Sequence, residues 1–311
     1  MKKRVKGKNN TEKKVTFRQT WPYHLLLLPG MLILTVYIII PFLGNSMAFQ
    51  NYKPALGFFK SEWVGLEHFR TMFLLPDFKR VVTNSVIIAV SKLVLIMLFS
   101  LLFAVLLNEI RSAKFKKTIQ TFCFLPHFLS WVILASIFKN LLDATGLVNQ
   151  VLTDAGILSE AVNFLGSNRF FKAILVGTDV WKEFGYGAVI FIAALTGINP
   201  ELYEAADLDG AGRLAKIWHV TLPGIRTTIV MVATLNIANI LNAGFDQVYN
   251  MYSPVVYQSG DIIDTYVYRM SFLSNQYSLA TAIGMFKSLI SFVLIAVSNW
   301  LAKRFANYRI F

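Results

Sequence analysis

The stretch ELYEAADLDGAGRLAKIWHVTLPGI, residues 201–225, is charged at its start, small in its middle and amphipathic at its end. It lies between two long apolar runs, 173–196 and 227–249. Asn199-Pro200 just before it is a helix start, with Asn as N-cap and Pro at the first helical position. Glu201 and Glu204 fall in the first turns, where the helix dipole favours acids. Asp209-Gly210 marks a turn, and Gly212 adds backbone freedom. Leu214, Ile217, Trp218 and Thr221 follow at i, i+3, i+4 and i+7, the spacing of one helix face. Pro223 is expected to end that second helix. The stretch therefore reads as a short helix, a sharp turn and another short helix.

The surrounding chain sets where this hairpin sits. Mean hydropathy is +0.54 over 311 residues, and 15% of the residues are charged, against about 25% in an ordinary soluble domain. That balance excludes a soluble globular protein and predicts an all-α membrane protein. Six runs approach the ~20 residues that a spanning helix needs: 24–44, 83–107, 121–141, 173–196, 227–249 and 281–302. Together they make a six-helix transmembrane domain over 24–302, with a basic tail at 1–23 and a short tail at 303–311. With both termini inside, the cytoplasmic pieces carry 18 Lys and Arg in 75 positions, and the outer pieces carry 8 in 100. The positive-inside rule thus places both termini and the loop 197–226 in the cytoplasm. The net charge of +13 is better explained by anionic lipid and topology than by nucleic acid. The first apolar run is longer than a signal-peptide core and reads as an uncleaved anchor, although Ser46-Met47-Ala48 imitates a cleavage site. Cys123, the single cysteine, permits no internal disulfide and no cysteine metal cluster.

Two readings of the hairpin stand from physics alone. It could lie flat on lipid headgroups as an amphipathic pair, or it could dock on a protein. The acidic first helix opposes the first reading, because an anionic inner leaflet repels it. Ala205 and Ala206 allow a close approach, and Glu204 offers a carboxylate to a basic partner.

Glu204-Ala205-Ala206, Gly210 and Leu222-Pro223 resemble the EAA loop of ABC-transporter permeases, and the wording EAADLDGA resembles the carbohydrate-uptake, maltose-type branch. Flanking stretches agree in order: WVGLEHFRTMF (63–73), LPHFLSWVILASIFKNLLDATGLVNQVL (125–152), TDVWKEFGYGAVIFIAALTGINPELYEAA (178–206), then DTYVYRMSF (264–272) with YSLATAIGMFKSLI (277–290), which look like the polysaccharide, LplB-like subgroup. The resemblance covers roughly residues 20–305. It implies the ABC importer permease fold with an EAA coupling helix that docks in a cleft of an ATP-hydrolysing subunit. Glu204 would pair there with a basic residue, Ala205 and Ala206 would sit in the cleft, Asp209-Gly210 would make the turn, and Leu222-Pro223 would close the loop. It also implies a second homologous permease, two ATP-binding subunits that use ATP and Mg, and an extracytoplasmic solute-binding lipoprotein, all at a bacterial cytoplasmic membrane. No phosphate-loop motif G-x-x-x-x-G-K-[ST] occurs in this chain, so no cofactor is expected on it and the energy must come from another chain.

Polar residues in a span mark cavities or helix contacts. Asn236, Asn239, Ala243, Asp246 and Asn250 repeat at 3 and 4, so a continuous fifth helix would put them on one face. Pathway lining and helix glue are both open for that stripe. Trp181 supplies an aromatic face suited to a sugar. Lys287 could answer Asp246 or select an acidic sugar, or it could reach the surface with Lys92 and Lys139. Lys182 is expected to pair with Asp179 at i, i−3. The histidines show no metal spacing, and no residues form a catalytic set.

The function read from the sequence is the permease subunit of an importer for an oligosaccharide or other carbohydrate. The alternative is an ABC permease for a peptide or an amino acid. An intramembrane enzyme would need paired acids in an aqueous loop. A secondary transporter would show inverted repeats or paired broken helices, which the sequence does not reveal.

Overall fold

The computed structural model describes residues 17–237 and 240–306. Four of its helices are long and apolar enough to cross a bilayer, or six segments if each of two bent pairs counts as one span. Helix α1 (Phe17–Leu34) continues through a π-helical turn, Thr35–Ile39, to Leu43. Its side chains stay uncovered along the way, with Leu26 78% and Tyr37 75% exposed. Its C-terminal end leads to a two-stranded hairpin, β1 (Gln50–Asn51) with β2 (Glu62–Trp63), and to α2 (Glu67–Leu74).

The centre of the bundle is α3 (Pro76–Asn108) crossed with α6 (Phe171–Thr196), the most extensive helix pair in the chain. Small residues make this possible, because lipid supplies no hydrophobic force between helices and close contact has to hold them. A Cβ added at Gly187 would lie 2.6 Å from Ser100 Oγ, and one at Gly185 would lie 2.1 Å from the Cys123 carbonyl oxygen. Cys123 itself belongs to α4 (Ala113–Phe124), which crosses α6 at that glycine. It is partly buried.

Two expected spans are broken. The run 121–141 is α4, a 3-10 turn at Leu125–Phe128, an extended Leu129, and then α5 (Trp131–Leu142). Pro126 removes a backbone donor and crowds the preceding turn, and Ser130 caps the new helix by accepting from the Ile133 amide at 3.4 Å. The run 227–249 is likewise two helices, α9 (Arg226–Ile237) and α10 (Phe245–Met251). Gly244 supplies the backbone for the restart with φ +89°, which a side chain resists. Hydropathy reads both stretches as continuous because the break residues sit inside apolar runs.

Between α6 and α9 lie α7 (Pro200–Leu208) and α8 (Arg213–Gly224). After α10, helix α11 (Ile263–Tyr268) folds back on the outer end of α3, and α12 (Tyr277–Ala306) closes the chain against α9 and α11. One core cluster joins Ile88, Phe171, Leu175, Val248 and Met251, and another joins Met72, Phe78, Tyr266 and Ile283.

Candidate translocation site and coupling hairpin

The hairpin forms as its local signals require. Asn199 caps α7 by accepting from the Glu201 amide at 3.1 Å, with Pro200 at the first helical position. Gly210 makes the turn at φ +76°, a conformation that costs other residues roughly 1–2 kcal/mol. The two arms are tied together by Tyr203 Oη to Thr221 Oγ1 at 3.0 Å and by Lys216 Nζ to Asp207 Oδ1 at 2.6 Å. Glu204, Ala205 and Asp209 are exposed, and Ala206 is half-buried. Leu208, Leu214 and Trp218 are also exposed, at 91%, 73% and 67%. The amphipathic stripe of the second arm is therefore split: Thr221 turns inward while Leu214 and Trp218 face out. The second arm ends at Gly224, one residue beyond the expected end at Pro223. A π-helical turn, Ile217–Thr221, carries it through Leu222 and Pro223 to Gly224, because proline is tolerated in the first turn of the resumed helix.

The arms join the bundle through short bends. Helix α6 bends by 73° into α7, and α8 bends by 61° into α9. At the junction Gly224 packs under Ile198, and a Cβ there would sit 3.0 Å from Ile198 Cδ1.

Helices α6 and α9, with Ile96 of α3, line a cavity in this part of the bundle. It has about 660 Å³ and is walled by Glu183, Tyr186, Gly187 and Ile190 of α6 and by Val232, Leu235 and Asn236 of α9. Most of the wall is apolar, so its polar groups stand out. Glu183 Oε1 receives Lys182 Nζ at 2.7 Å, and Glu183 Oε2 lies 2.7 Å from His127 Nδ1. Lys182 also donates to the His127 carbonyl oxygen at 2.8 Å, a group that the break after Pro126 leaves without a helical partner. The His127 ring stacks flat on Tyr186, with centroids 3.9 Å apart at 2°. The result is a neutralised carboxylate beside an aromatic face, arranged to accept hydroxyl hydrogen bonds and to stack on a ring.

A second polar knot lies deeper. Lys92 of α3 is 4% exposed. Its Nζ donates to the Ala243 carbonyl oxygen at 2.7 Å and to Gln247 Oε1, and it sits 3.3 Å from Asp179 Oδ2. Gln247 in turn donates to the Leu175 carbonyl oxygen and to Thr178 Oγ1, both at 2.8 Å. Lys92 thus joins α3 and α6 to the broken fifth span, and satisfies a carbonyl that the break freed.

Several expectations change here. Lys92 does not snorkel; it is buried with partners. Lys182 pairs with Glu183, and Asp179 takes Lys92 instead. Lys287 does not answer Asp246, since its Nζ lies 2.5 Å from Asp264 Oδ1. Asn236 and Asp246 share no helix face, because α9 ends before Asp246 and Ala243 is fully buried. Asn236 lines the cavity, whereas Asp246 is exposed on α10. Asn239 lies outside the described residues. Trp181 is 44% exposed and meets Phe138 edge-on at 5.8 Å, away from the cavity wall. Tyr186 and His127 were missed as a pair, since nothing local brings residues so far apart in sequence together.

The outer segment is anchored by charge. Asp261 is fully buried and takes Arg269 through two hydrogen bonds, at 2.6 and 3.2 Å. Arg269 also lies 4.1 Å from the Tyr257 ring centroid. Burial opposes the Arg269 charge, but Asp261 outweighs it and holds the guanidinium above its ordinary range.

A family model described as binding-protein-dependent transport system inner membrane component matches residues 96–307. The chain belongs to this family. Protein LplB of Bacillus subtilis (strain 168) is 42% identical to this permease over 295 residues, with 94% of the permease and 92% of LplB covered. The polygalacturonan/rhamnogalacturonan transport system permease protein YteP of the same organism is 39% identical over 289 residues, with 93% and 89% covered. Among solved structures, the permease is similar to a chain of a bacterial ABC transporter involved in the import of the acidic polysaccharide alginate. The TM-score is 0.84 at 32% identity, covering 93% of the permease and 97% of that chain. The permease is a multi-pass protein of the cytoplasmic membrane. Broken helices, which the sequence did not reveal, occur here in an ABC permease.

Proposed function

We propose that this chain is the permease of an ATP-driven importer that carries an oligosaccharide into the cytoplasm. The observation that carries the reading is the combination of relatives named as polysaccharide and oligosaccharide permeases with a cavity walled by Glu183, Tyr186 and Asn236. Sugars are recognised by hydroxyl hydrogen bonds and by stacking on aromatic faces, and this wall offers both. A peptide or amino acid would bring an ammonium or carboxylate, and Glu183 is already answered by Lys182. The alginate importer, solved with an alginate pentasaccharide-bound periplasmic protein at TM-score 0.85 and 32% identity, supports a solute-binding protein on the outer side and an oligosaccharide as cargo.

ATP would act from the cytoplasmic end through a partner chain. Glu204, exposed on α7, would meet a basic residue of an ATP-binding subunit, with Ala205 and Ala206 letting that surface close in. Leu208, Leu214 and Trp218 offer the apolar area of such a contact. A push on the hairpin would travel to the cavity, because α7 and α8 adjoin α6 and α9 through short bends, and α6 and α9 supply most of its wall. The partners in this reading are a second homologous permease, two ATP-binding subunits holding ATP and Mg, and an extracytoplasmic solute-binding lipoprotein. Six spans with both termini cytoplasmic complete it.

The test is uptake into proteoliposomes that contain the whole complex, with the loaded binding protein outside and ATP inside. Uptake of a labelled oligosaccharide and not of peptides or amino acids is the expected result. Uptake of a peptide or an amino acid without any oligosaccharide would overturn the proposal.

A further inference from the structure

Helix α10 starts at the break in the fifth span and has two unlike flanks. Gln247, Val248 and Met251 are buried in the bundle. Phe245, Asp246, Tyr249 and Asn250, at i, i+1, i+4 and i+5, make the other flank. There Phe245 and Tyr249 stack at 5.3 Å and 16°. Tyr268 of α11 joins them, 5.6 Å from Phe245 and 4.9 Å from Tyr249. The row continues to Phe272 at 5.2 Å from Tyr268, and to Tyr252 at 6.1 Å from Tyr249. Tyr249 is 40% and Phe272 66% exposed. The Tyr249 hydroxyl donates to the Tyr268 hydroxyl at 3.4 Å.

The charge in this row sets it apart from a lipid-facing surface. Asp246 stands exposed within it, and a carboxylate facing hydrocarbon is strongly disfavoured. The tyrosine hydroxyls lie at the edges of these rings, and Asp246 stands exposed next to Phe245 in the chain. The rings pack on one another, and the faces that this leaves open, chiefly on Tyr249 and Phe272, with polar groups at their edges, complement a pyranose chain, whose faces carry C–H groups and whose edges carry hydroxyls.

The geometry points to a second sugar subsite: an aromatic ladder of Phe245, Tyr249, Tyr268 and Phe272, with Asp246, that holds an extended oligosaccharide at the outer mouth. This inference rests on the oligosaccharide reading of the permease. Two adjacent rings serve a short sugar, and the whole row serves a longer one. The ladder therefore governs chain-length preference, whereas the Glu183–Tyr186 cavity serves every cargo.

The experiment uses the complete complex in proteoliposomes, with neutral oligosaccharides of increasing length, each presented on its loaded binding protein, whose concentration is varied to read the KM. Tyr249→Ala raises the KM for the longest substrate by about five- to tenfold, the loss of one ring contact, with a smaller change for the shortest and kcat retained. Tyr249→Phe, which keeps the ring, stays close to wild type. An equal change at all lengths, or no change, overturns the ladder, whereas a wild-type complex that imports no oligosaccharide overturns the underlying function. Loss of the second permease from the purified Tyr249→Ala complex would make the row a contact between permeases and also overturn it. Tyr249→Trp gives an independent reading: its added fluorescence shifts with a long oligosaccharide, and no shift counts against the site.

Discussion

Lys92→Met removes the cation that ties the broken fifth span to α3 and α6. Three groups lose their partner together: Asp179, whose side chain is 15% exposed, the Ala243 carbonyl oxygen, and Gln247 Oε1. Breaking a buried pair by removing one member costs about 3–5 kcal/mol. At 1.4 kcal/mol per factor of ten, that favours opening of the segment around α10 by roughly a hundredfold to several thousandfold. Asp179→Leu alone strands the ammonium and costs a comparable amount. The double variant Lys92→Met/Asp179→Leu leaves no buried charge, only an unsatisfied carbonyl and amide oxygen at about 1–3 kcal/mol each. It is therefore milder than the sum of the two and close to either single variant or better. The assay is thiol labelling of Val248→Cys, a position that is fully buried, in a Cys123→Ser background. Labelling accelerates sharply in Lys92→Met and rises no further, or falls back, in the double variant. Unchanged labelling in Lys92→Met, or strictly additive effects, would refute the knot as a fastening.

Three further outcomes follow from particular contacts. Cysteines at Phe59, which is fully exposed, or at Gln258 react with an impermeant thiol reagent from outside, whereas one at Leu208, 91% exposed, is protected in intact cells; the reverse pattern would invert the topology. Gly185→Val drives a branched side chain into the Cys123 backbone and loses folded protein on size-exclusion chromatography, by at least 1–3 kcal/mol for overpacking, while Gly177→Ala, with open space around it, behaves as wild type. Arg269→Met strands the buried Asp261 carboxylate and loosens α11 from α3, which limited proteolysis of the outer segment at neutral pH detects; equal protease resistance would dismiss that anchor.

The hairpin was legible because its signals are local. Asn199, Pro200 and Gly210 act on their own neighbours, and each appears in the structure where the sequence put it. The broken spans were hidden for the opposite reason: Pro126 and Gly244 are single residues inside apolar runs, and a hydropathy average passes over them. Charge partners were misread where they come from other helices. Lys182 and Asp179 have helical spacing, but the carbonyl freed at His127 pulls Lys182 toward Glu183, and Lys92 arrives from α3 to take Asp179. The stripe built on Asn236 and Asp246 failed with the continuity of its helix. Tyr186 carried no local mark; it becomes a site residue only because α4 breaks and swings His127 onto its ring.

The central claim is that the hairpin couples ATP hydrolysis in a partner to the sugar cavity between α6 and α9. The most direct measurement is ATP hydrolysis by the purified complex, with and without sugar-loaded binding protein, for wild type and Glu204→Lys. The account predicts that loaded binding protein stimulates the wild type. Glu204→Lys should lose this stimulation, with all subunits still present or with the ATP-binding subunits shed and the permeases intact. Full stimulation in Glu204→Lys, matched by wild-type uptake, would contradict it.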